Sequence, residues 1–182
     1  MHIVVNARFL TQSITGVQRF AIEVCLKLKD LVDDIEFVTS ANVAQQEVFD
    51  ALDAKIIGKF HGHLWEQIDL PQYLKRKGAP LLINLANTAP LFYKNKVVTI
   101  HDVAYKVFPQ TYPKSFLMFY SFMIPKLLYG SKHVITVSEF SKYVSSIVYR
   151  KRRCLWSIML YQKVSHPNLQ QIAINIFLLF HP

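Results

Sequence analysis

The stretch KVVTIHDVAYKVFP, residues 96–109, carries an apolar run, Val97-Val98-Thr99-Ile100, that stops at His101-Asp102. The run does not alternate between polar and apolar residues, so it is not a strand with one face in water. It reads as a strand over 97–101, buried on both faces, as in a parallel sheet covered by helices. Open α/β sheets bind ligands beyond the carboxyl ends of their strands, and that is where this run delivers an imidazole and a carboxylate.

Similar apolar runs occur at HIVVN (2–6), IEFVT (35–39), KIIG (55–58), PLLIN (80–84) and HVITV (133–137). Helical patterns lie between them. From Gly16 to Asp30, Val17, Phe20, Ala21, Val24 and Leu28 share one face behind a Thr15 cap. Further helices are predicted at 43–52, 64–78 and 114–129, with Pro71 opening a new helical piece and Gly78 as a stop signal. Another helix starts at Ser138, the N-cap, with Glu139 in its first turn. Residues 102–113 read as a long loop containing Pro109 and Pro113. The alternation predicts an α/β fold: a Rossmann-like, doubly wound, mostly parallel sheet with helices on both faces.

The 182 residues suffice for one sizeable core, and 52% hydrophobic against 18% charged residues exclude a disordered chain. Cys25 and Cys154 show neither paired nor metal spacing and fit reduced thiols in a cytoplasmic protein. The start, MHIVVNARFL, lacks a basic region followed by an apolar block, so no signal peptide is expected. No window has the roughly 18 apolar residues of a spanning helix.

The formal charge of +9 is unevenly spread: residues 140–182 hold six of the 21 Lys/Arg and none of the 12 acids, leaving the rest at +3. Basicity confined to the tail counts against a nucleic-acid partner. The chain therefore divides into a main domain, 1–148, and an atypical tail, 149–182, with a basic cluster and aperiodic apolar runs. The tail has the pattern a shifted reading frame would produce; a native helix pair with a basic face is the alternative.

Four polar sets fall at predicted strand ends: Arg8–Thr15, Asn84–Thr88, His101-Asp102 and Ser138-Glu139. His101 is the candidate catalytic residue, since a crevice histidine can donate a hydrogen bond or act as a base near neutral pH. Asp102 either orients it or caps the next segment. The Arg8–Thr15 connection exceeds the usual length of about 2–6 residues and leads into a helix opened by Gly16, where backbone N–H groups favour a phosphate. Arg8 and Arg19 are candidate phosphate or carboxylate contacts, with a solvated surface role the simpler reading for Arg19. Ser138-Glu139 has helix capping as its simplest role. His61 and His63 flank Gly62 too closely for the usual helical zinc pair, and no Asp-x-Asp occurs, so no metal is expected.

Four segments, in order, carry a family resemblance: NARFLTQSITGVQRFAIEV (6–24), LWEQIDLPQYLKRKGAPLLINLANTAP (64–90), VVTIHDVAYKVFPQTYP (97–113) and HVITVSEFSK (133–142). Over about residues 1–147 the chain resembles the N-terminal domain of retaining GT-B-fold glycosyltransferases of the mannosyltransferase and rhamnosyltransferase type. These build bacterial surface polysaccharides, lipopolysaccharide among them, from nucleotide sugars. The resemblance implies an acceptor-side domain facing a donor-binding domain across a cleft. It matches Gly16 to the loop near the donor's phosphates, His101 to the family's His-Asp histidine beside the reacting sugar, and Arg19 to an acceptor contact. Ser138-Glu139 matches the turn after the last strand. It further implies metal-free transfer with retention, the leaving phosphate helping to deprotonate the acceptor.

The family's donor domain, of roughly 150–200 residues, holds the nucleotide sugar through two glutamates eight apart. The glutamates here are 23, 36, 47, 66 and 139, and no two are eight apart. The expectation is a chain that does not turn over alone and pairs with a sugar acceptor and a separate donor-binding domain. A non-catalytic acceptor-binding module, or half of a split enzyme, is the competing reading. The aromatic 114–129 segment fits peripheral contact with the inner face of the cytoplasmic membrane or a buried core helix equally well.

Overall fold

A computed structural model describes residues 2–137 and 156–158. Its strands are β1 (Ile3–Asn6), β2 (Ile35–Thr39), β3 (Lys55–Ile56), β4 (Leu81–Asn84), β5 (Lys96–Thr99), β6 (His133–Thr136) and β7 (Trp156–Ile158). They form one sheet in the order β3-β2-β1-β4-β5-β6-β7, every neighbouring pair parallel. The α/β, Rossmann-like fold class read from the sequence is the one observed.

Alternate residues explain why the strands are apolar throughout. Ile3 and Val5 of β1 enter one core with Phe37, Leu81, Ile83, Val97 and Ile135. Helix α1 (Gly16–Leu31) covers that face with Ala21, Val24, Cys25 and Leu28. Val4, between them, points to the other face and packs with Val38, Leu82, Trp65, Leu70 and Leu74. Val98 and Val134 continue that second face under Met123, Ile124, Leu127 and Leu128 of a long helix, Lys114–Gly130.

Helix α2 spans Gln46–Ala51, shorter than predicted. The predicted helix over 64–78 is three pieces: α3 (Gly62–Leu64), a π-helical segment Trp65–Asp69, and α4 (Leu70–Arg76). Pro71 sits in the first turn of α4, where its missing N–H is tolerated. The predicted loop over 102–113 contains α5 (Ala104–Val107) and a 3-10 turn at Pro109–Thr111. The Lys114–Gly130 helix, α6, runs on through Pro125. A 3-10 turn, Arg8–Thr11, occupies the first half of the connection from β1 to α1. Strand β7 comes from the segment read as an aperiodic tail.

The sheet order creates one switch point. From β1 the chain steps to β2 and β3 on one side, then returns to lay β4 on the other side. Asn6, the last residue of β1, is in register with Asn84, the last residue of β4. In open α/β sheets the connections leaving two such ends diverge, and ligands bind in the crevice between them. Among the described residues, no helix is long and apolar enough to cross a membrane.

Candidate functional site at the switch point

Asn6 and Asn84 meet directly: the Asn6 amide donates to Asn84 Oδ1 at 3.0 Å. The same Asn6 amide donates to Glu66 Oε1 at 2.8 Å. Glu66 comes from the π-helical segment and is 1% exposed. Its Oε1 also accepts from the Thr88 hydroxyl at 3.0 Å. Arg8 closes the cluster, with Nη2 donating to Thr88 Oγ1 at 2.8 Å and Nε 3.5 Å from Glu66 Oε1. On the other carboxylate oxygen, Oε2, His63 Nδ1 stands 3.4 Å away.

A fully buried carboxylate would ordinarily resist ionisation. Burial does push Glu66 up, but hydrogen bonds from His63 and Asn6 and the Arg8 charge outweigh it and hold the group below its usual value. Glu66 is therefore a fixed negative charge buried beside the ends of β1 and β4. Arg8 is largely matched by it before any ligand arrives. Tyr120 of α6 lies within the same field: burial pushes its phenol up, Arg8 pulls it down, and Glu66 and Asp102 push it up.

His101 lies two residues beyond the end of β5, not within the strand as the sequence suggested. Its backbone N–H donates to Asn87 Oδ1 at 2.8 Å, and its Nε2 is 2.9 Å from the Leu85 carbonyl. A carbonyl only accepts, so Nε2 carries the proton and the neutral ring keeps its lone pair on Nδ1. Phe20 meets the ring edge-on with centroids 5.0 Å apart. Burial pushes the imidazole below its ordinary value, against the Leu85 hydrogen bond and the Asp102 charge. Asp102 accepts from the Ala104 N–H at 2.9 Å, a local turn leading into α5, whose N-cap is Val103. Its hydrogen bond therefore goes to the start of the next segment and not to His101.

Gly16 is the first residue of α1, behind Thr15, whose backbone N–H donates to Gln18 Oε1 at 3.2 Å. A Cβ at Gly16 would meet nothing within 4 Å, so no packing demand requires a glycine there. Arg19 is exposed on α1 and takes no part in the Arg8–Glu66 cluster. Ser138 and Glu139 lie outside the described residues.

The structure thus gathers Arg8 and the Asn84–Thr88 segment at the switch point, with His101 attached through Asn87 and Leu85. It adds Glu66 and Tyr120, to which the sequence reading gave no role, and His63, which that reading weighed only as a zinc ligand. Glu66 did carry a signal: it lies four residues before Leu70 and eight before Leu74, both fully buried. A carboxylate on an apolar stripe is exceptional unless it is paired. Among the described residues, no group of three or more His, Cys, Asp or Glu is placed to hold a metal ion. Comparison with protein-family models, with curated proteins and with solved structures found no match.

Proposed function

We propose that this chain is the acceptor-side domain of a retaining GT-B-type glycosyltransferase, related to enzymes that move a mannose-like hexose from a nucleotide sugar onto a surface polysaccharide or lipid-linked acceptor. The observation that carries the reading is the polar cluster at the switch point. Arg8, Thr88 and His101 fall in three of the four ordered segments that resemble this family, and all line the β1–β4 crevice or its first loop. The buried Glu66 comes from a segment of the same set.

In this reading the open N-terminus of α1 around Gly16 favours the developing negative charge of the leaving diphosphate. His101, neutral and held by Leu85, offers a ligand its Nδ1 lone pair. Arg19, free of the internal cluster, is the guanidinium available to an incoming anion or saccharide. The reaction would take place in the cytoplasm, at the inner face of the membrane, where lipid-linked acceptors are found. No metal or cofactor is required beyond the nucleotide sugar as co-substrate.

A second reading is a non-catalytic acceptor-binding module, in which the same buried cluster only shapes a saccharide site. Calorimetric titration of the chain with saccharides and nucleotide sugars, with an assay for released nucleoside diphosphate, tests both. Saturable saccharide binding without release fits an acceptor-side domain. Release from a nucleotide sugar by the chain alone would overturn the division of labour, and no saccharide binding would overturn the reading altogether. Restored transfer on adding a donor-binding domain would separate the enzyme half from the binding module.

A further inference from the structure

We propose that His63, oriented by Glu66, is the hydroxyl-binding residue of a saccharide subsite at the mouth of the crevice, with the Phe119 ring lying against the sugar's C–H face. The inference rests on the acceptor-side reading and names a residue for it that the family resemblance does not.

The chain turns sharply into His63. His61 is extended, and Gly62 takes a left-handed φ of +56° with open space where a side chain would be. The π-helical segment follows at once. Such segments reorient side chains relative to an α-helix and are frequent at functional sites. Here the segment turns Glu66 inward while His63, three residues earlier, stays at the surface with 45% of its side chain exposed.

The hydrogen-bond inventory sets the state of the ring. Glu66 Oε1 already receives Asn6 and Thr88 and faces Arg8. Oε2 is left for His63 Nδ1. An ionised carboxylate only accepts, so Nδ1 carries a proton, and the neutral form of the ring then has its lone pair on Nε2. That nitrogen has no partner among the described residues. The arrangement is a carboxylate-fixed imidazole with its acceptor atom facing out.

Next to it stands an aromatic ring: Phe119 of α6 has its centroid 4.7 Å from that of His63, tilted by 52°. Leu64, 60% exposed, and Met118, 75% exposed, adjoin the pair in sequence on the two helices. A saccharide carries hydroxyls around its edge and C–H groups on its face. It matches an outward acceptor beside an aromatic plane, where the ring gives apolar contact and the polar groups give orientation. His101 is built differently: its Nε2 is tied to Leu85 and its side chain is buried.

The test uses the full chain with ¹⁵N-labelled histidine, titrated with methyl α-mannopyranoside, while the imidazole nitrogens are followed by NMR. The expected result is a saturable shift of His63 Nε2 and a loss of affinity of about tenfold or more in His63→Ala, the loss of one good hydrogen bond. The Ala variant leaves Glu66 Oε2 without its donor, so its melting temperature should fall, and wild-type circular dichroism at the titration temperature shows that it is still folded. Glu66 is the positioning residue. Glu66→Gln should move His63 toward the Nε2–H tautomer, a ¹⁵N signature that a merely structural role would leave unchanged. Sugar binding with an unmoved His63, or equal affinity in His63→Ala, overturns the subsite and leaves the acceptor-side reading standing. No saturable binding of the mannoside or of other hexosides overturns both.

Discussion

Arg8 Nε and Glu66 Oε1 stand 3.5 Å apart, one in the 3-10 turn just after β1 and one in a π-helical turn, with side chains 11% and 1% exposed. Removing one partner from such a pair leaves an uncompensated buried charge. Glu66→Ala should therefore cost about 3–5 kcal/mol in denaturant unfolding. Glu66→Gln, which keeps an oxygen for Asn6 and Thr88, should cost less, about 1–3 kcal/mol. If Glu66→Ala is no less stable than wild type, the network does not hold the two strand ends together.

Gly16 separates stability from binding. Its backbone is compatible with a side chain and the space around it is empty. Gly16→Ala should keep stability or raise it by about 0.4–1 kcal/mol, since it restricts the unfolded chain. In the acceptor-side reading proposed above, nucleotide-sugar binding by the chain together with a donor-binding domain should weaken if a diphosphate approaches this backbone. Unchanged binding would exclude that approach.

Lys96 makes an alkaline prediction. It is fully buried, and its ammonium donates to the carbonyls of Leu91 at 3.2 Å, Tyr93 at 2.5 Å and Gly130 at 3.3 Å. Burial pulls its pKa down to about 8. Between that value and the unfolded value of about 10.4, the unfolded chain binds more protons, so this group makes stability rise with pH. Burial pushes Cys25 up and Tyr93 up to about 12, so these two act in the opposite direction above about pH 8.5. The wild type minus Lys96→Met difference isolates the lysine. It should grow in favour of wild type from pH 8 to 10, and a flat difference would contradict the buried-ammonium account.

On the acid side, burial lowers both His101 and His133. Each contributes stability that is present above the unfolded pKa of about 6.5 and lost as pH falls toward the folded value. Unfolding free energy should fall as pH drops below about 6.5, with a smaller slope in His101→Gln. The His101 resonances should titrate below those of an unstructured histidine. A His101 titrating at or above that value would show an imidazole open to water or newly paired.

Asp102→Asn and Asp102→Ala distinguish a local turn acceptor from an orienting carboxylate. Asparagine also accepts from the Ala104 N–H, so it should keep stability, while alanine should lose about 1 kcal/mol. A large effect of Asp102→Asn on ligand binding at unchanged stability would restore the orienting role.

Much of the fold was legible locally. Val97-Val98-Thr99-Ile100, Ile3-Val4-Val5 and Leu81-Leu82-Ile83 are apolar at every position but Thr99, and only a sheet covered on both sides buries every position. Thr15 before Gly16 and the spacing of Ala21, Val24 and Leu28 mark the first helix for the same reason: periodicity is written in neighbouring residues. Neither the short α5 nor the π-helical turn shows this way. α5 has four residues, too few for a period, and Trp65–Asp69 keeps a helical apolar pattern while changing its hydrogen bonding.

The site depended on separations the local pattern does not encode. That Asn84 lies beside Asn6 follows from β4 pairing with β1 rather than with β3, a choice made by packing both faces of the whole sheet. Once that order is set, Arg8, Glu66 and Thr88, each unremarkable in its own segment, meet in one buried cluster. There their charges must be matched or the fold does not hold. By itself the sequence determined that a buried strand would end just before His101. The tertiary structure decided that a paired carboxylate lies between the ends of β1 and β4, because only strand order brings residues 6, 8, 66, 84 and 88 within reach of one another.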